Sequence, residues 1–327
     1  MIRDQWYIIM ESREVRRGKP VGVTRLGEKL VLWRDSQDIL HCMGDTCPHM
    51  HAPLHKGKIA GDRIACPFHG FQYDASGQCT YLPAVGKNGR TPPFLKTKVY
   101  PAYESRGFIY IYWGEPEGDL APPQFFESLP HEEFHVTRFR DHWPTHYARM
   151  LENQLDVCHL PFVHHNTIGR GQGVVVEGPY VELADDLLNI WSMNRVDDGS
   201  PVRPITHVEK PARHPSLQFI FPNLWHNWIA DDLRIVIAFV PVDNENSIMY
   251  GRFYQRVLKI PLLRGVMGFF GVIGSHVIAC QDKRVVTRIS PKNPADTDTE
   301  HLRVSDLGVI QYRKRKQELQ ASTKSAP

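Results

Sequence analysis

A net excess of either charge is nearly absent: 39 Lys and Arg against 36 Asp and Glu leave a formal net charge of only +3 across 327 residues. Such a balance supplies no basic field, so nucleic acid is not expected as a partner. The single basic run, Arg313-Lys314-Arg315-Lys316, is predicted to be a solvated helix end. An apolar N-terminal stretch is lacking too, because Met1-Ile2-Arg3-Asp4-Gln5-Trp6 carries charge where a secretion signal needs hydrophobic residues. Cysteine is too sparse for a disulfide framework: six residues (Cys42, Cys47, Cys66, Cys79, Cys158, Cys280) are scattered through a long chain. That usage predicts a cytoplasmic protein whose cysteines are thiols or metal ligands. Long hydrophobic runs are lacking except over residues 260–279, where Arg264, His276 and several glycines interrupt the pattern. A buried helix is predicted there, with a membrane-facing surface near a greasy substrate left open but not expected. No internal repeat is visible.

What is present is an ordinary globular composition, 42% hydrophobic and 23% charged, in a chain long enough for two cores. From Trp6 to Trp113, short β-branched and aromatic runs alternate with Gly, Asp, Asn and Pro, as in "KLVLWRD" and "GFIYIYWG". This punctuation predicts a small antiparallel β domain. The stretch Glu115-Pro116-Glu117-Gly118-Asp119-Leu120-Ala121-Pro122-Pro123 reads as a connector, which places one domain at 1–116 and a second at 117–327. In the second, residues 144–160 read as a helix stopped by Pro161, followed by strand-like runs such as "LRIVIAFVPV". The overall class is therefore α+β.

Two constellations carry chemistry. Cys47-x-His49 and Cys66-x-x-His69 are compact turns with proline beside each cysteine. Two thiolates and two imidazoles could close a tetrahedral zinc site, or could divide between the two irons of a [2Fe–2S] cluster. The apolar, glycine-rich wrapping by Ala52-Pro53-Leu54 and Gly70-Phe71-Gln72-Tyr73 favours the cluster.

The first constellation resembles the Rieske-type non-haem iron oxygenases, in their oxygenase component: a Cys-Pro-His loop leading to Ala-Pro-Leu, and a Cys-Pro-Phe-His-Gly loop. The resemblance implies that Cys47 and Cys66 bind one iron and that His49 and His69 bind the other. Imidazole in place of thiolate raises the reduction potential to roughly −150 to +300 mV. Where the family usually has Arg-Gly or Arg-Ala after the first histidine, this chain has Met50-His51. His51 is expected to pack or hydrogen-bond rather than to ligate, since the outer iron already has two nitrogens.

The second constellation spans Glu152 to His164. On a helix, Glu152, Asp156 and His159 would share one face, and Pro161 would free His164 to swing beside His159. Two histidines need one carboxylate to form a facial triad that leaves positions open on Fe(II). The same family carries Asp-x-x-His-x4-His here, which implies His159 and His164 as ligands of a mononuclear iron. It also implies Asp156 as the carboxylate linking a ligand histidine to the cluster of a neighbouring subunit. The third ligand implied is Asp282, in "ACQDKRVV", although Gln281 stands where the family usually has an acid. His165 is a weaker alternative to His164. The segment Phe221 to Trp228 reads as strand core that could also wall a cavity, with His226 or Asn227 orienting a polar group. Cys158 and Cys280 read as small buried residues.

The fold implied is an N-terminal all-β Rieske [2Fe–2S] domain followed by a helix-grip, START-like α+β catalytic domain. The function implied is a terminal oxygenase that takes electrons ultimately from NAD(P)H through a separate ferredoxin or flavin reductase. It would activate O2 at mononuclear Fe(II) and hydroxylate or oxidatively demethylate an apolar, aromatic or cyclic substrate, working as a homotrimer. The alternative is an electron-transfer or redox-sensing protein whose C-terminal domain binds ligand without catalytic iron.

Overall fold

The structure, a computed structural model, describes residues 1–116, 118–258 and 260–322. Glu117, at the expected domain boundary, lies outside the described residues. Asp4–Pro123 forms one compact unit, and Met1–Arg3 joins Gln124 and the residues after it in another.

The first unit is all-β, built from three small antiparallel sheets. Four short strands, Lys58–Ile59, Ile64–Ala65, Gln72–Tyr73 and Cys79–Tyr81, lie side by side in chain order in one of them. Val31, Trp33, Met43, Leu54, Ile64 and Tyr73 pack together as the core beneath them. Burial of this kind contributes about 1.5–3 kcal/mol per large side chain, which lets strands of two residues persist.

The second unit is α+β. Seven antiparallel strands run in the spatial order His135–Trp143, Ser247–Gln255, Leu233–Pro241, Leu224–Ala230, Leu217–Ile220, Leu187–Trp191, Tyr180–Ala184. Among the described residues four α-helices accompany them: α1 (Tyr147–Leu155), α2 (Leu160–Val163), α3 (Pro261–Val286) and α4 (Leu307–Ser322). Helix α3 packs on His135–Trp143 and Ser247–Gln255, and α1 packs on Leu233–Pro241. Glycines set the closeness of α3: a Cβ at Gly271 would stand 2.4 Å from the Phe253 ring, and one at Gly268 would stand 2.4 Å from Thr137 Cγ2.

Three expectations are corrected. The single helix over 144–160 is two helices, because Asp156 takes an extended backbone (ψ 129°) and its carboxylate accepts the Cys158 N–H at 2.6 Å. This local bond competes with continued helix, and Pro161 then opens α2 in its first turn instead of ending α1. The run 260–279 is not buried. Phe269 and Phe270 are exposed at 61% and 64%. The span Leu263–Val286 has a mean hydropathy of 1.5, and only 11% of its window is buried, so by length and composition it would suffice to cross a membrane. Lastly, the basic run is not a solvated end. Arg313 makes a two-pronged pair with Glu152 (2.7 and 2.8 Å) and a 2.7 Å pair with Glu300. Arg315 pairs with Asp186 at 2.9 Å, and Lys316 is buried. The run thus locks α4 to the start of the second constellation, which charge counting along the sequence does not reveal.

Two histidines of this unit are buried neutral. His146 caps α1, its Nδ1 accepting the Ala148 N–H at 3.2 Å, and His226 lies fully inside the sheet. Loss of hydration pushes both well down from the ordinary 6.5, to about 3. The unfolded chain therefore takes up protons below pH 6.5 that the folded chain refuses, so stability falls as pH drops from 6.5 towards 3. Each histidine should cost about 1.4 kcal/mol per pH unit in that window. Urea titrations of His226→Gln at pH 7 and pH 5 should show a weaker acid dependence than the parent protein, and an unchanged dependence would refute the assignment.

Candidate metal centres

The two cysteine loops share one backbone design. Cys47 N–H bonds Ala52 C=O (2.9 Å) and His51 N–H bonds Cys47 C=O (2.9 Å). In parallel, Cys66 N–H bonds Phe71 C=O (2.8 Å) and Gly70 N–H bonds Cys66 C=O (3.1 Å). In both loops the residue four after the cysteine takes a left-handed backbone, at φ 58° for His51 and 70° for Gly70. His51 is exposed and so does not pack, and the hydrogen bond it makes is the backbone one to Cys47 C=O. A glycine suits this position at no steric cost, which is the physical sense of the more usual family sequence there.

This design buries the thiols of Cys47 and Cys66 and leaves His49 and His69 exposed, their rings 4.8 Å apart between centroids. Phe71 stacks on the His49 ring at 4.6 Å, and Tyr73 Oη lies 3.1 Å from Cys47 Sγ. Among the described residues, no three of these four side chains bring one donor atom each within 4.8 Å of one another. One tetrahedral zinc would demand that closeness, with bonds of about 2.0–2.3 Å. A buried cysteine pair with an exposed histidine pair beyond it fits a two-iron cluster instead.

The second centre gathers residues from distant parts of the chain. His159 Nε2 and His164 Nε2 lie 3.6 and 3.0 Å from Asp282 Oδ1. Three donors set roughly at right angles around one ion, with bonds of about 2.1 Å, would stand about 3 Å apart. The remaining polar atoms of the triad are engaged. His159 Nδ1 faces the Asp156 carbonyl at 3.1 Å, and His164 Nδ1 faces Gln281 Oε1 at 2.7 Å. Gln154 Nε2 donates to Asp282 Oδ2 at 3.0 Å. Asp282 Oδ1 alone is buried without a hydrogen bond of normal geometry, a costly state unless a cation fills it. The residues fit a 2-His-1-carboxylate metal.

Asp282 lies in the last turns of α3, within the helix. Asp156 Oδ2 stands 3.5 Å from His159 Nδ1. Burial pushes the Asp156 carboxyl upward, but bonds with His159 and the Cys158 N–H outweigh it and hold it below the usual carboxylate value. Glu152 turns away to Arg149 and Arg313, and His165 points out, with Nδ1 at 3.0 Å from Phe162 C=O. The one-face helix argument thus named residues that a break in the helix, rather than its periodicity, brings to the site. Cys280 is exposed, contrary to expectation, and Cys158 is partly buried.

Sequence reasoning passed over the residues that orient the two imidazoles. Gln281 accepts from His164 Nδ1 and from the Thr167 hydroxyl (2.9 Å), which fixes the tautomer that leaves Nε2 bare towards Asp282. The signal was its adjacency to Asp282 at a position where an acid is usual. Gln281→Leu should weaken iron retention about 10–100-fold, measured by dialysis against a graded chelator. Unchanged retention would show that Gln281 does not orient the ligand.

A cavity of about 950 Å³ adjoins the triad. Strand alternation sends Trp225, Asn227 and Ile229 into its wall and His226 to the opposite face, where His226 Nδ1 meets Gln218 Oε1 at 2.9 Å.

Residues 5–101 match the Rieske [2Fe-2S] domain family, and residues 143–322, more than half of the chain, match the vanillate O-demethylase oxygenase C-terminal domain. The chain is 30% identical over 168 residues to the oxygenase component of 3-ketosteroid-9-alpha-monooxygenase from Rhodococcus rhodochrous, covering 49% of this chain and 42% of that protein. It is 30% identical over 166 residues to the oxygenase component of dicamba O-demethylase from Stenotrophomonas maltophilia, covering 50% and 48%. The matches thus span less than half the length of these curated relatives. A solved structure of an NdmA mutant from Pseudomonas putida CBB5 with theobromine superposes with a TM-score of 0.77 at 21% identity, covering 99% of this chain and 92% of that one. With its paired cysteine–histidine loops in the first unit and its histidine–carboxylate triad in the second, the chain belongs to the Rieske-type non-haem iron oxygenases.

Proposed function

We propose that this chain is the terminal oxygenase component of a multicomponent system. It receives electrons ultimately from NAD(P)H through a separate reductase or ferredoxin, and hydroxylates or oxidatively demethylates a cyclic organic substrate with O2. The observation that carries the reading is Asp282 Oδ1, buried at the wall of a cavity with His164 Nε2 at 3.0 Å and His159 Nε2 at 3.6 Å. That atom has no purpose in an electron carrier with a plain ligand pocket, which disfavours the alternative reading. In this assignment Cys47 and Cys66 hold one cluster iron, His49 and His69 the other, and His159, His164 and Asp282 the mononuclear iron. We place the domain boundary at 116/117, inside the connector, ahead of the end of the first compact unit at Pro123.

Bound there, the mononuclear iron supplies reductive activation of O2. The protein supplies the rest. Gln281 and the Asp156 carbonyl hold both imidazoles with Nε2 towards Asp282, and Gln154 fixes the Asp282 carboxylate from its other oxygen. Phe139, Ile235, Ile237 and Met249 line the cavity and keep water from the reacting carbon. In this reading Asp156, 3.5 Å from His159 Nδ1, links that ligand to a cluster histidine of a neighbouring subunit, and the working form is a homotrimer. The cytoplasm suits this protein, whose six cysteines are all unpaired with one another.

The test is O2 uptake by the iron-loaded protein with a surrogate reductase and NADH, across a panel of cyclic substrates. Uptake stimulated by one of them, with an oxygenated product, supports the reading. Reduction and reoxidation of the cluster with no product under any substrate would favour the electron carrier.

A further inference from the structure

We propose that the cavity selects a neutral, largely apolar polycyclic molecule carrying a carbonyl or hydroxyl, and rejects organic anions. This inference rests on reading the triad as the oxygenase site and adds the class of substrate. Among the described residues lining the cavity there is no Lys and no Arg. The acidic ones, Asp156 and Asp282, belong to the metal centre. A ferrous ion with two neutral imidazoles and these two carboxylates sums to zero formal charge, so the centre offers an anion no net attraction. A carboxylate or sulfonate brought inside would lose its water without gaining a cation, which is the costly case of burial.

The rest of the wall argues for bulk and apolarity. The volume of about 950 Å³ lies at the upper end of small-molecule sites, and Trp225, Ile237, Met249 and Phe253 face it. Ile168, Ile229 and Val277 line the cavity while also exposed at its rim, so the entrance is apolar as well. Polar side chains at the wall are mostly engaged: the Ser192 hydroxyl donates to Asn194 Oδ1 (2.7 Å), Asn194 Nδ2 to the Val157 carbonyl (3.1 Å), and Ser216 Oγ accepts from Arg213 (3.1 Å). The Asn227 amide has no hydrogen-bond partner among the described residues and lines the cavity between Trp225 and Ile229 on one strand face. An uncharged group that both donates and accepts is suited to a neutral oxygen, and its pairing there sets the orientation of an otherwise greasy ligand.

The experiment uses two probes of matched shape, 1-pyrenemethanol and 1-pyrenecarboxylate, titrated by fluorescence into the anaerobic, iron-loaded protein with iron measured on the same sample. The alcohol should bind at least about 100-fold more tightly than the carboxylate. Asn227→Leu should weaken the alcohol about tenfold and leave pyrene itself unchanged, whereas Asn227→Lys should raise affinity for the carboxylate. Carboxylate binding within tenfold of the alcohol, or no saturation by the alcohol below about 1 mM, would overturn the proposal. A triad that takes up no iron would sink the oxygenase reading, while loss of alcohol affinity in Asn227→Leu against unchanged pyrene would still support the selectivity. An iron-bearing sample that prefers the carboxylate would do the reverse.

Discussion

In Asp282→Ala, iron should fall from about three to about two per chain while the cluster keeps its colour and its reduced-state EPR signal. Turnover should fall by on the order of a thousandfold or more. The argument is local. Asp282 supplies the one anionic donor between His159 and His164, and two neutral imidazoles at the wall of an open cavity hold Fe(II) poorly without it. The variant is expected to fold, since the side chain takes with it only the Gln154 bond to Oδ2 and the contacts of Oδ1 with His164 and His159, while both imidazoles keep their Nδ1 partners. Full iron content with normal turnover would remove Asp282 from the ligand set.

Asp156→Asn makes the complementary case. The amide is of the same size and keeps an oxygen for the Cys158 N–H, and the His159 Nδ1 contact to the backbone carbonyl at 3.1 Å is untouched. Both metals should therefore stay, and the rate of cluster reduction by dithionite should not change. Removing the charge beside His159 should lower turnover on the order of 100-fold or more, the upper range for the outer partner of a metal-bound imidazole. Normal turnover would dismiss the bridging role, and loss of iron would make Asp156 a determinant of the site's assembly.

The two centres were legible in the sequence to different degrees. The Cys47 and Cys66 loops are local, so ligands within each turn are adjacent in the chain and the repeated backbone bonds of the two turns follow from them. The triad is not local. Asp282 meets His159 and His164 only because α3 folds back over the sheet, and a lone aspartate in a helix carries no signal of that. Helical periodicity misled where a side chain overruled it: the Asp156 carboxylate, bonded to the Cys158 N–H, ends α1 just where the pattern continues. The exposed outer side of α3 and the burial of Lys316 were equally hidden, because hydropathy and charge runs do not say which neighbours a helix will meet. Gln281 shows the same limit at smaller scale, since its bonds to His164 and Thr167 depend on contacts more than a hundred positions away.

The most direct test of the account is visible and low-temperature EPR spectroscopy of the purified protein before and after dithionite, with iron, zinc and sulfide measured on the same sample. A red-brown protein with a reduced-cluster signal of average g below about 2 and about three irons per chain is the expected result. A colourless protein holding zinc in the Cys47, His49, Cys66 and His69 loops would contradict it.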